Sequence, residues 1–420
     1  MFTTLRDALK VEDLRKKLLF TFFMLFAVRS GASIPIPGVD STSLLAFFDA
    51  NSDGLLGMYD AFSGGAFKNM TIFALGIVPY INSSIIMNLL TIAIPALEEM
   101  QKEGQEGRKK IAKITRFATI GFAVIQATAI SIGFKSYFVE FNFFTVIVAI
   151  VTMTAGTAFL MWCGEKITEN GVGNGISLII VINILSGLDD GIVNIWDRLV
   201  NGQYVTVLVV LVVIVILIMF VVLIQLGERR VAVQYAKRIQ GRKVYGGQST
   251  HIPMKVNMAG VIPVIFASSL MQFPATITSF FPGTPTGWWA SVLNFLTISS
   301  WSGAIIYFIL IIAFAYFYTA ITFNPYEVAN NMKKNGGFIP GIRPGKPTVE
   351  HLSTILTRLV LIGAVMLGLI ALAPVALSAV VNMSFSFGGT SLIIVAGVAI
   401  ETMKQLQSQL VMRHYKGFLG

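Results

Sequence analysis

The residues able to do covalent chemistry are few, and their positions do not suit it. The 420-residue chain has three histidines: His251 and His351 fall in polar loops and His414 in the C-terminal tail. Cys163 is the single cysteine, so an internal disulfide and a multi-cysteine metal site are both excluded. No HExxH pattern occurs, and no apolar run carries a central Asp, Glu or His. Intramembrane proteolysis needs such groups, and ion-coupled carriers commonly use them. Phosphate-loop and dinucleotide patterns are absent, so the chain brings no ATPase of its own. The reading is of a chain that is not an enzyme and uses no cofactor or metal.

What the apolar runs do contain is branched aliphatic side chains beside amides and hydroxyls. Ile81 and Ile85 lie four apart on one helix face, as do Ile176 and Ile180. Ile265 follows Pro263, and Ile393 or Ile394 begins the last apolar run. Isoleucines in membrane helices ordinarily meet lipid or a neighbouring helix, and spacing alone does not distinguish these. The polar company matters more. Asn82, Ser83, Ser84, Asn88, Asn183, Asn257, Ser268 and Ser269 need partners or water that lipid does not offer. A water-filled funnel narrowed by branched apolar side chains satisfies both sets and bars ions by dewetting.

The elements that position these residues follow from composition. The chain is 55% hydrophobic and only 12% charged, with mean hydropathy +0.75, which marks a polytopic membrane protein. No cleavable signal peptide is evident. Residues 1–17 read as an amphipathic helix at the lipid headgroups. Ten spans follow, near 18–34, 72–95, 117–132, 144–161, 176–184, 205–224, 259–271, 305–322, 355–381 and 392–403. The seventh stops before Pro274, and the fifth and tenth are short. The tenth starts after Gly388 and Gly389. Residues 164–175 read as a glycine-rich connection and 98–116 as a polar basic loop. An N-terminal half (18–188) and a C-terminal half (205–403) are joined by an external loop at 189–204, and a tail at 404–420 closes the chain.

Charge placement sets the topology. Loops on one side hold 27 of the 31 Lys and Arg; Arg29, Lys68, Lys135 and Arg198 lie on the other. The imbalance puts both termini in the cytoplasm. The stretch 55–67 is too short to span, and counting it as a span would reverse every later loop.

Two cytoplasmic loops, 227–255 and 324–351, are longer than topology requires. The alternation of VAVQYAKRIQ at 231–240 reads as a hairpin. Arg108 with Lys109 and Lys110, then Arg229, Arg230, Lys237, Arg238, Arg242 and Lys243, and Arg343 between two Gly–Pro turn elements, form a basic face. Such a face suits an acidic partner such as ribosomal RNA or a motor protein.

Several stretches together resemble the SecY family of protein-translocation channel subunits. They are FALGIVPYINSSIIMNLL (73–90), KEGQEGRKKI (102–111), GEKITENGVGNGIS (164–177), KVNMAGVIPVIFASS (255–269), NPYEVANNMKKNGGFIPGIRPG (324–345) and GGTSLIIVA (388–396). The resemblance implies an all-α fold of ten transmembrane helices in two inverted pseudo-symmetric halves around a central pore. It implies a pore ring at Ile81, Ile85, Ile176, Ile180, Ile265 and Ile393. It implies a short plug helix near 55–67, comprising Leu55, Leu56, Gly57, Met58, Tyr59, Asp60, Ala61, Phe62, Ser63, Gly64 and Gly65. A lateral gate would open between spans 2 and 3 and spans 7 and 8, with Ser84 or Asn88 as its polar residue. The long loops would meet a SecA-like ATPase motor and the ribosome, Arg343 foremost, while SecE-like and SecG-like small membrane subunits brace the assembly. The channel would pass an unfolded preprotein with a signal sequence across the cell membrane and release apolar segments into membrane lipid. A solute transporter, or a scaffold or insertase without a continuous pore, is the alternative. The first would call for a mid-membrane ionic site.

Overall fold

The computed structural model describes residues 2–50, 59–60, 62–235, 238–240, 243–245, 249–278, 287–298, 300–381 and 389–416. Ten helices build the body: α1 (Glu12–Gly31), α2 (Val78–Ala93), α3 (Gln105–Gly133), α4 (Phe143–Asn170), α5 (Gly175–Ser186), α6 (Tyr204–Leu226), α7 (Ile262–Thr278), α8 (Trp301–Thr322), α9 (Lys346–Val381) and α10 (Gly389–Lys416). Six segments among the described residues are long and apolar enough to cross a bilayer: α3, α4, α5 with its continuation to Val200, α6, α8 with its continuation to Lys334, and α9. The bent pair Val78–Ala93 and Pro95–Lys102 makes a seventh if it is one span. With α1, α7 and α10 the architecture is consistent with ten spans.

Packing among these helices repeats with a shift of five. In the first half α2 packs on α3, α3 on α4, α4 on α5, and α1 on both α4 and α5. In the second half α7 packs on α8, α8 on α9, α9 on α10, and α6 on both α9 and α10. A shift by an odd number reverses the direction in which each span crosses, so the repeat is an inverted one. The halves meet along α2–α7 and α3–α7 at one seam and α5–α10 at another.

Several boundaries differ from the sequence reading. The second long helix starts at Val78, not 72, because Gly64, Gly65, Met70 and Gly76 all take positive φ and wind 64–77 into turns. Backbone pairing of Ile36 with Met70 and of Ile72 with Ile34 holds that segment. Residues 98–116 are helical rather than loop: Pro95–Lys102 turns at Glu103–Gly104, where Gly104 has φ +80°, directly into α3. Glycines at 164–175 do not break α4 until Gly171. Gly164 and Gly175 are there for close approach, a Cβ on Gly175 lying 2.0 Å from the Gly164 carbonyl oxygen. Pro274 lies inside α7, which runs on to Thr278. Proline is tolerated in such helices when neighbours satisfy the freed backbone groups.

The connection at 189–204 is mostly the helix Leu188–Val200. The tenth helix is not short, since it continues as a polar rod through the tail to Lys416. The N-terminal helix, Phe2–Lys10, is not simply spread on headgroups. Its Ala8 is buried in a cluster with Leu14 of α1, Val172 and Leu406 of α10, so it packs on protein from both halves.

Candidate functional site

The long cytoplasmic loops fold into one platform. Strand β1 (Glu228–Tyr235) pairs antiparallel with β4 (Ser249–Lys255) on one edge and with β5 (Gly337–Phe338) on the other. Between β1 and β4, β2 (Arg238–Gln240) and β3 (Lys243–Tyr245) pair antiparallel as a small hairpin. The alternation read in the sequence is real: Val231 and Val233 face a core with Met254, Met332, Leu352 and Leu356, while Arg229 and Arg230 are exposed. Arg230 pairs with Glu228 at 2.8 Å. Arg229, Arg230, Ile339, Pro340 and His351 line one concavity, so two loops distant in sequence share a surface.

Arg343 stands exposed on a turn between Gly341 (φ +80°) and Gly345 (φ +110°), its carbonyl accepting the Thr348 hydroxyl at 2.9 Å. Arg108 is exposed near the start of α3. Arg238 and Lys243 are on the hairpin strands, and Lys237 and Arg242 lie outside the described residues.

At the centre, residues from both halves merge into a single apolar cluster. Ile81 and Ile85 of α2, Ile180 of α5, Ile265 of α7 and Ile393 of α10 are all buried within it, and Ile176 packs against it half-buried. Ile394 is as buried as Ile393, so burial does not choose between them. The same cluster holds Tyr59, Phe62 and Phe67. Asn82 and Asn183 are buried here as well.

Of the plug stretch, Leu55, Leu56, Gly57, Met58 and Ala61 lie outside the described residues. Tyr59, Asp60, Phe62 and Ser63 are helical; the helix ends there because Gly64 (φ +69°) and Gly65 (φ +80°) reverse the chain, short of the expected 67. The Tyr59 hydroxyl donates to the Leu75 carbonyl at 3.1 Å. Asp60 accepts the Lys68 N–H at 2.9 Å; burial nonetheless raises its carboxyl above the usual range, with that N–H opposing. Phe67 sits among Tyr59, Phe48 and Phe134, with ring centroids 4.8 to 5.9 Å away.

Ser84 and Asn88 are half-buried on α2, the helix that meets α7 at one seam. Within the second half a buried bond of 2.9 Å joins Ser268 of α7 to Tyr307 of α8. In the first half, Arg116 of α3 reaches Glu165 of α4 at 2.7 Å.

Sequence reasoning misses two things. Gln126 of α3 is buried with both ends of its amide unpartnered, a signal visible as a lone amide in an apolar run. Arg29, in sequence only one of four basic residues on the sparse side, donates to the Gly64 carbonyl at 2.8 Å. Among the described residues no group of three or more His, Cys, Asp or Glu could hold a metal ion.

Known proteins match the chain over nearly its whole length. A relative from Streptomyces scabiei, a protein translocase subunit SecY, is 46% identical over the whole of both chains. That of Escherichia coli K12 is 43% identical, over 97% of this chain and 94% of its own. Among solved structures, one described as a protein-conducting channel aligns with a TM-score of 0.67 at 19% identity, covering 94% of this chain and 93% of that one. The Sec61 channel of a canine ribosome complex from the endoplasmic reticulum aligns at 0.63 and 18% identity, over 94% and 93%. The SecY family model itself matches residues 71–403, and the chain belongs to the SecY family.

Proposed function

We propose that this protein is the channel subunit through which unfolded secretory polypeptides cross the cytoplasmic membrane, and from which apolar segments leave sideways into lipid. The observation that carries the reading is the central cluster. Isoleucines from α2, α5, α7 and α10, two helices of each half, gather there with Tyr59 and Phe62 of the plug stretch. Branched aliphatic side chains touch a passing chain without directional bonds, so they hold no sequence in preference to another. Closed together they exclude water and ions. Ile81, Ile85, Ile176, Ile180, Ile265 and Ile393 are the constriction, and residues 55–65 the plug.

The α2–α7 seam is the lateral gate, with Ser84 and Asn88 as polar groups that weaken it. A signal sequence offers apolar surface that takes the place of the helix packing broken when the seam parts. The channel performs no covalent step, so the driving force comes from outside. The exposed arginines of the β1 platform and Arg343 suit an acidic surface, that of a SecA-like motor or of a ribosome. SecE-like and SecG-like subunits cover part of the apolar exterior, and both termini are cytoplasmic.

The test is to trap a stalled secretory chain carrying one cysteine in the full-length protein bearing Ile85→Cys. A disulfide at mid-translocation is expected. Absence of any crosslink at Ile85, with crosslinking of the same chain to the cytoplasmic platform, would reject a path through the cluster.

A further inference from the structure

The plug stretch is held at its C-terminal root by side chains of other helices. Three side chains from two different helices converge on two nearby carbonyls at its C-terminal root. Asn183 of α5 donates its amide to the Phe62 carbonyl at 3.0 Å, a buried bond across 121 residues of sequence. Ser186, one turn further along α5, donates to the Gly64 carbonyl at 3.1 Å. Arg29, near the end of α1, donates to that same carbonyl at 2.8 Å. Gly64 is also seated hard against α5. A Cβ added there would lie 2.9 Å from the Asn183 Cα and 2.8 Å from the Ser186 Oγ, and its φ of +69° disfavours any side chain.

We infer that Arg29, Asn183 and Ser186 form a latch that seats the root of the plug on the first half of the channel and sets how tightly the resting pore is sealed. The inference rests on residues 55–65 being the plug.

The chemistry fits a holding role. Serine and asparagine in an apolar helix can bond their own backbone or reach across to a neighbouring segment, and here both reach across. Ser186 also bonds its own helix, donating to the Asn183 carbonyl at 2.7 Å, so its hydroxyl is shared between α5 and the plug root. Arg29 adds a charged donor to the same oxygen, a stronger kind of bond than a neutral pair. Ile176, Ile180 and Asn183 follow one another at spacings of four and three, so one stripe of α5 carries both constriction residues and the latch. All three latch residues lie on α1 and α5. Leu75, Phe48 and Phe134, which also hold the plug stretch and its flank, precede α6 as well. When the halves part, the root therefore travels with the first half, away from Ile265 and Ile393. These residues are positioning residues: none needs to touch the passing chain.

The experiment measures resting ion current through the reconstituted full-length protein in planar bilayers, normalised to folded channel. Ser186→Ala removes one neutral donor and is expected to raise the current about two- to fivefold. Arg29→Gln and Gly64→Ala, the latter a wedge that removes no donor, are expected to raise it about tenfold or more. Arg29→Lys, which keeps a charged donor, should recover part of the seal; a purely structural role for Arg29 predicts no such rescue. Deletion of residues 59–63 is the reference for loss of the plug. If that deletion raises the current while Ser186→Ala, Arg29→Gln and Gly64→Ala stay at the parent level, the latch is wrong and the plug reading stands. Should the deletion itself leave the current unchanged, the plug reading falls and the latch with it. If Arg29→Gln fails to fold, Ser186→Ala and Gly64→Ala decide the matter.

Discussion

Substituting Gly175 by alanine should open the closed channel without removing a single polar side chain. The new Cβ would lie 2.0 Å from the Gly164 carbonyl oxygen and 2.7 Å from the Ile167 Cβ. Both belong to α4, and neither the oxygen nor a Cβ can rotate aside. Since real Cβ atoms essentially never approach a neighbour closer than 3.0 Å, α5 must retreat from α4 by about 1 Å. Overpacking of this kind costs roughly 1–3 kcal/mol, and a backbone obstacle puts it at the upper end. Alanine's better helix propensity returns about 1 kcal/mol at most, because Gly175 sits in the first turn beside the Asn174 cap. The net is a loss of about 2 kcal/mol, close to thirtyfold in the equilibrium that holds α5 in place. Retreat of α5 moves Ile176 and Ile180 with it. The expected outcome is a lower unfolding temperature in detergent and a raised resting ion current. Gly187→Ala is the control: its Cβ would meet only the Ile184 carbonyl, at an ordinary 3.6 Å. If Gly175→Ala behaves like Gly187→Ala in both assays, the argument from close helix approach is refuted.

The gate and the platform each yield a further outcome. Asn88→Leu removes a half-buried amide from α2, worth about 1 kcal/mol in a membrane interior, and should shift the signal-sequence stringency of export. Unchanged export of a weak-signal substrate would count against Asn88 as a gate residue. Arg343→Glu reverses an exposed charge on a turn and should leave assembly intact while abolishing motor-stimulated export in reconstituted vesicles. Normal stimulation by the motor would remove Arg343 from the contact.

The membrane plan is legible in sequence because hydropathy and the sidedness of basic residues are local, additive signals. They locate the long helices and the short stretch before Val78. What sequence does not give are features fixed by distant partners. The alternation at 231–235 announces a strand, yet its second neighbour, Gly337–Phe338, is about a hundred residues away and too short to signal itself. The glycines of 164–175 look like breakers because glycine usually is one. Here Gly164 and Gly175 are small so that α4 and α5 can touch, a property of the pair. The tenth helix reads as short because its hydropathy falls at Lys404, but a helix continues past the membrane surface while its backbone stays bonded. Arg29 carries no signal at all, since its value lies in a carbonyl 35 residues onward.

The length of α9 has a mechanical consequence. Its 36 residues begin at Lys346, three positions after Arg343, and Leu352 and Leu356 in its early turns are gripped by the β1 sheet. From Lys346 to Pro374 the rod is about 42 Å long, against a hydrocarbon layer of about 30 Å. A tilt of only about 5° then carries one end about 4 Å relative to the other, comparable to the width of a side chain. Load applied at the platform reaches the bilayer midplane as torque on a lever rather than as a signal relayed from residue to residue. Because α9 packs on α8, α10 and α6 together, such a torque would be shared among the helices of the second half rather than borne by α9 alone.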